Sequence, residues 1–310
     1  MESGKKSRLY SMLAQVQQWT NETAPIRGHR LDAYFSGEGK LVLANTDLFK
    51  FGMMAVDRSL ATALNGDSLA SKTWMSRAFT RMIFAEMTDL HHLKNTDGLI
   101  LNNLDGVAHL LLGAIAAGKP GLVRFFYDGI LAAIGEAYGV HDGHNPPPGT
   151  TLRYAAFALS IISDWLGTPI DLDAHALPRD PAWGQLVAHW REPDPEALLP
   201  ALLLACDTHV ERIAVTEREA NALSRDFEFA SVFLAVYPTE ILAVLRLRDL
   251  LGLPNPATID HPLMQTPYAA ITARPGEIAD RDELLERYLA TVRQRDPQAL
   301  PSAMADVGNL

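Results

Sequence analysis

His141 and Asp142 form an adjacent histidine–carboxylate pair, and His91, His92 and Asp207 add side chains of the same kind elsewhere in the chain. Imidazole and carboxylate can hold a divalent ion that activates water, so a set of His92, His141, Asp142 and Asp207 would suit metal-dependent hydrolysis. Such ligands must be held rigidly, whereas this pair lies between Gly139 and Pro146 in a run with three glycines and three consecutive prolines. Those residues prevent helix and predict a solvated loop. Asp89-Leu-His-His92 gives Asp-x-x-His once, without the second copy that a di-iron carboxylate bundle requires, and its histidines suit a helix C-terminus. Cys206-Asp-Thr-His209 sets a thiol near an imidazole, but Cys206 follows Leu202-Leu203 and reads as core. Phosphate-cradling glycine loops, a nucleophile elbow, a zinc-protease motif and a metal-binding cysteine set do not occur. The residues name no reaction, no cofactor and no resident metal, and the chain reads as a binding protein, not an enzyme.

Charge is the stronger signal. Residues 1–150 hold 14 Lys+Arg against 14 Asp+Glu, whereas 151–310 hold 13 against 23, which is the whole formal charge of −10. Unpaired carboxylates are too costly to bury, so the excess is expected on an exposed face. It gathers in two connectors. One holds Asp171, Asp173, Glu192, Asp194 and Glu196, with Asp180 between them; the other holds Glu211, Glu217, Glu219, Asp226 and Glu228. A solvated face that keeps the protein soluble accounts for such residues, and so does capture of a basic partner through complementary potential. Nucleic acid is an unsuitable partner. The single cysteine suits a reducing compartment, the first twenty residues lack the apolar core of a secretory signal, and the apolar stretch from Leu99 to Ala117 is interrupted by Asn102, Asn103, Asp105 and His109. The expected location is the cytoplasm, with no membrane contact.

The elements that must carry these residues are helices. Apolar side chains recur at helical spacing over Ser7–Trp19, from Thr46 to Asn65, and from Ser68 or Ser71 to about Leu93. They do so again before Gly118, from Pro120 through Ile134, and from Thr150 or Thr151 through Trp165. Pro181 and Asp194-Pro195 open two more helices, Pro238 opens one that stops at Gly252, and a last helix is expected over about Glu277–Arg293. Leu41, Val42 and Leu43, with Gly28, Gly37 and Gly39 nearby, allow one short hairpin near 26–44. The proline-rich stretch 255–268 is expected to lie extended on the helices, anchored by Ile259, Leu263, Met264 and Tyr268. The predicted fold is all-α, an irregular multi-helix bundle of about ten helices in one domain over 1–310. A subdomain seam at 139–149 would separate a neutral platform, 1–138, from an acidic half, 150–310.

Three stretches carry a family likeness: Tyr237-Pro-Thr-Glu-Ile-Leu-Ala-Val-Leu-Arg-Leu-Arg248, Gly252-Leu-Pro-Asn-Pro256 and Asp260-His-Pro-Leu-Met-Gln-Thr-Pro267. Together they resemble the C-terminal part of helical immunity proteins from bacterial polymorphic-toxin and type VI secretion loci. The resemblance implies a cytoplasmic inhibitor that binds a cognate toxin and blocks its active site. Charge points the same way, because nuclease toxins are basic where they grip phosphate. Two alternatives stand beside this reading. The His141-Asp142 pair is similar to the ligands of the helical HD metal phosphohydrolases, and a helical scaffold or regulatory binding protein would share the same composition.

Overall fold

Helix-starting signals recur along the chain, and several that fall on described residues open helices. Asp180 accepts from the backbone N–H groups of Ala182 and Trp183 with Pro181 in the first turn, and Asp194 accepts from Glu196 N–H ahead of Pro195. Asn103, Ser231 and Asp282 cap three further helices through their side chains. The computed structural model describes residues 2–22, 28–93, 102–136, 138, 140, 151–220, 227–278 and 281–301. Among these are thirteen α-helices, eleven of them seven residues or longer, and no strand.

The first six are α1 (Glu2–Glu22), α2 (His29–Phe35), α3 (Leu41–Leu64), α4 (Ser68–Leu93), α5 (Leu104–Ala116) and α6 (Pro120–Ala133). The next five are α7 (Arg153–Leu166), α8 (Pro181–His189), α9 (Pro195–Glu211), α10 (Glu217–Ala220) and α11 (Val232–Val236). The last two are α12 (Thr239–Leu250) and α13 (Glu283–Arg295). Helices α3 and α4 form an antiparallel hairpin closed by the Asn65–Asp67 turn, where Gly66 takes a φ of +78°. Helix α5 packs on α4, α7 and α12, and α1 packs on α3, α9 and α11, so one hydrophobic cluster runs from Leu9 to Leu300. All but Val140 of the 139–149 stretch lies outside the described residues.

No hairpin forms in the described part of 26–44, which holds α2 and the start of α3. The apolar positions there follow a helical period. Leu41, Ala44 and Leu48 are buried at i, i+3 and i+7, while Leu43 is 42% exposed. Gly39 permits the tight turn before α3, since a Cβ there would stand 2.6 Å from Tyr34 N. The last helix begins at Glu283, six residues later than expected, because Asp282 both caps it and takes a two-pronged ion pair from Arg81 of α4 at 2.7 and 2.9 Å. Helix α11 was not foreseen. The 255–268 segment carries two 3₁₀ turns, Pro262–Gln265 and Pro267–Ala270, and buries Leu263 and Tyr268.

Helices α7, α8 and α9 set the geometry of the acidic half. Arg212, just past α9, reaches Asp180 at the start of α8, and Arg153 at the start of α7 lies 3.9 Å from the same carboxylate. At the other end, Trp190 Nε1 and Arg191 Nε, just past α8, donate to Asp164 near the end of α7 at 2.8 and 2.5 Å. Thus α7 and α8 run in one direction and α9 returns against them. No helix in the described residues is long and apolar enough to cross a membrane.

Candidate functional site

The carboxylates of the acidic half divide into those that build the fold and those that face outward. Glu228 belongs to the first group. Its side chain is 1% exposed and accepts from Arg212 Nη1 at 3.0 and 3.1 Å, from Trp183 Nε1 at 2.9 Å and from Thr151 Oγ1 at 3.1 Å. Burial pushes its carboxyl up, and Arg212, Trp183 and a second contact from Arg212 pull it back. Asp180 is buried in the same network. Its burial is opposed by the Trp183 N–H, the Arg212 guanidinium and the Ala182 N–H, which leave its carboxyl below the ordinary range. Expected as a surface residue, Glu228 is instead an internal brace. The reason is tertiary: the isolated Ile213–Phe229 bridge folds the connector back onto the ends of α7 and α8.

Glu219 also turns inward. It accepts from Arg8 Nη2 of α1 at 2.8 Å and from Val215 N–H at 2.8 Å, and the Arg8 contact holds its carboxyl low. Asp226 lies outside the described residues, which leaves Glu211 and Glu217 as the exposed acids of this connector. In the other connector, Asp171 caps a turn by accepting from Asp173 and Ala174 N–H, and Asp173 forms a two-pronged pair with Arg179 on the surface. Glu192 is half-buried, whereas Asp194 and Glu196 are exposed at the N-terminus of α9.

Residues 164–211 hold nine carboxylates against two arginines, a net of −7 out of the chain's −10. Both arginines are already committed, Arg179 to Asp173 and Arg191 to Asp164. Asp171, Glu192, Asp194 and Glu196 form no ion pair among the described residues. Along α9, Asp194 and Glu211 are separated by about 25 Å at 1.5 Å per residue. The two acidic groups therefore mark opposite ends of one helix and do not form one compact cluster. A standard interface of ~800 Å² per partner is about 30 Å across, wide enough to cover both.

The catalytic candidates fare differently. Cys206 is fully buried, and burial together with Glu240 and Asp207 pushes its thiol far up. His209 is not directed at it: Nδ1 lies 2.7 Å from Glu240 Oε1 and Nε2 lies 3.0 Å from Ala235 O, with the ring stacked on Phe229 at 3.9 Å. A carbonyl can only accept, so Nε2 carries a hydrogen. Asp207 is half-exposed, with His261 Nε2 3.6 Å away. His92 is half-buried near the end of α4, and His141 and Asp142 lie outside the described residues. Among the described residues no group of three His, Cys, Asp or Glu side chains is arranged to hold a metal ion.

No family model, curated protein or solved structure matches this chain. The likeness of residues 237–267 to immunity proteins thus rests on those residues alone. Their structural roles are now visible: Glu240 pairs with His209, and Tyr237 donates to Ile271 O at 2.9 Å.

Two buried groups escaped the sequence reading. Glu86 and Asp89 of α4 are enclosed, and burial raises their carboxyls to about 8 and about 7. Glu86 accepts from Asn102 Nδ2 at 3.1 Å and lies 3.2 Å from Tyr138 Oη, while Asp89 accepts from Asn45 Nδ2. The available signal was Glu86 at the helical spacing of Phe79, Ile83 and Leu90, a core position occupied by an acid. Arg248, fully buried, is the other. It donates to four acceptors with no carboxylate among them: Trp190 O at 2.6 Å, Glu192 O at 2.8 Å, Asn255 Oδ1 at 3.1 Å and Pro254 O.

Proposed function

We propose that this protein is a stoichiometric inhibitor, an immunity protein of a bacterial toxin locus such as a type VI secretion locus. It binds a basic cytoplasm-acting toxin through the carboxylate face formed by residues 164–211 and occludes the toxin's active site. The observation that carries this reading is that Asp171, Glu192, Asp194 and Glu196 form no ion pair among the described residues, in a segment whose two arginines are both consumed by internal pairs. Carboxylates left without cations raise the rate at which a positively charged surface arrives and help reject acidic competitors. The resemblance of residues 237–267 to immunity proteins supports the same reading.

Co-expression with the product of the adjacent gene tests it. A one-to-one complex and protection of cells that express that product are expected. Absence of both would refute the proposal.

A further inference from the structure

The turn after α8 carries Glu192, Asp194 and Glu196, and its backbone is fastened to the end of α12 by one side chain. Arg248 Nη1 donates to Trp190 O at 2.6 Å and to Glu192 O at 2.8 Å, while its Nη2 and Nε hold Pro254 O and Asn255 Oδ1. Asn255 in turn donates to Leu245 O at 3.0 Å and to Asp249 Oδ1 at 2.7 Å, closing the loop that follows α12. Backbone carbonyls satisfy the guanidinium without neutralising it, so the contact serves to fix position. Leu250 and Leu251, two and three residues beyond Arg248 at the end of the helix that it fastens to this turn, are exposed at 42% and 39%. Asp249 is paired with Arg246 at 2.8 Å and Arg191 with Asp164, whereas Asp194 and Glu196 are exposed and form no ion pair among the described residues.

Resting on the proposed inhibitor function, we infer that Leu250 and Leu251 are the apolar anchor of the toxin-binding surface, that the Glu192–Glu196 turn is its acidic rim, and that Arg248 is the positioning residue joining them. The occupant is a basic protein surface presenting an apolar side chain between its cations. Exposed leucines at a helix end fastened to a carboxylate-bearing turn match that chemistry: the apolar contact supplies affinity and the carboxylates supply approach rate and selectivity.

The test uses the complex with the adjacent gene product. Leu250→Asp and Leu251→Asp, both at exposed positions, are expected to weaken binding about tenfold or more, with the thermal midpoint of the free protein unchanged. Protection from hydrogen exchange in the complex is expected at residues 190–197 and 247–253. Arg248→Lys keeps the charge but loses the fork geometry, and is expected to raise exchange in 190–197 of the free protein and to weaken binding. If both leucine variants bind as wild type while charge reversal at Asp194 and Glu196 weakens the complex, this inference fails and the inhibitor function stands. If no complex forms at all, both fail. Conversion of a dimer to a monomer by Leu250→Asp would assign the leucines to a second copy of this chain and overturn the inference.

Discussion

His209 Nδ1 lies 2.7 Å from Glu240 Oε1, with neither side chain exposed to any degree. A general base must come within hydrogen-bond distance of its substrate. This pair is enclosed by Phe229, Ala235 and the helices that carry it, so it cross-links α9 to α12. Glu240→Ala is expected to cost about 3–5 kcal/mol, because it leaves a buried imidazole without its partner. Urea unfolding measures the loss, and a cost under about 1 kcal/mol would show that the pair contributes only packing.

Glu86, Asp89 and Asp57 make stability depend on pH in an uncommon direction. Burial raises them to about 8, about 7 and about 6 from ordinary values of 4.5, 3.8 and 3.8. A carboxyl raised in the folded state contributes stability that is complete below its unfolded value and is lost as pH rises through its folded value. Stability is therefore expected to fall between about pH 4 and pH 8. Glu86→Gln should flatten the profile of the urea midpoint. A profile that rises over this window in the wild type would contradict the assignment.

Arg212, Asp180 and Glu228 separate folding from binding. Glu228→Gln removes charge from a carboxylate that meets Arg212 at 3.0 Å inside the protein, and is expected to destabilise by about 3 kcal/mol. Charge reversal at exposed Glu217 should leave stability within about 0.5 kcal/mol of wild type. Thermal unfolding of the two variants decides between an internal and an external role, and equal midpoints would contradict the division drawn between them.

Gly113 in α5 sits against Phe79, and a Cβ there would come within 1.8 Å of the ring. Alanine is the better helix former by about 1 kcal/mol, whereas forcing a methyl into a filled core costs about 1–3 kcal/mol. The rigid ring makes the clash dominate, so Gly113→Ala is expected to destabilise the protein. A stabilised variant by calorimetry would mean that Phe79 swings aside freely.

The local part of this fold was legible because its signals are local. Asp180-Pro181 and Asp194-Pro195 cap the helices they precede, the apolar period of α4 runs to Leu93, and Gly252 ends the helix that Pro238 opens. The Leu41-Val42-Leu43 patch misled because three adjacent apolar residues fit either period until their partners are known. The division of the acids was hidden for a related reason. Glu228 and Glu217 are equivalent as residue types, and only the return of α9 against α7 and α8 brings Arg212 and Trp183 to one of them. Arg248 was hidden likewise, since two of its four acceptors lie 56 and 58 residues away as backbone carbonyls that no side-chain pattern marks.

The most direct test of the acidic face is the salt dependence of the complex with the adjacent gene product, measured calorimetrically from about 50 to about 500 mM NaCl. Binding through the carboxylates of 164–211 is expected to weaken steadily with salt, and Asp194→Lys combined with Glu196→Lys should reduce both the affinity and its salt slope. An affinity unchanged across that range, and unchanged by the paired reversal, would contradict the central claim.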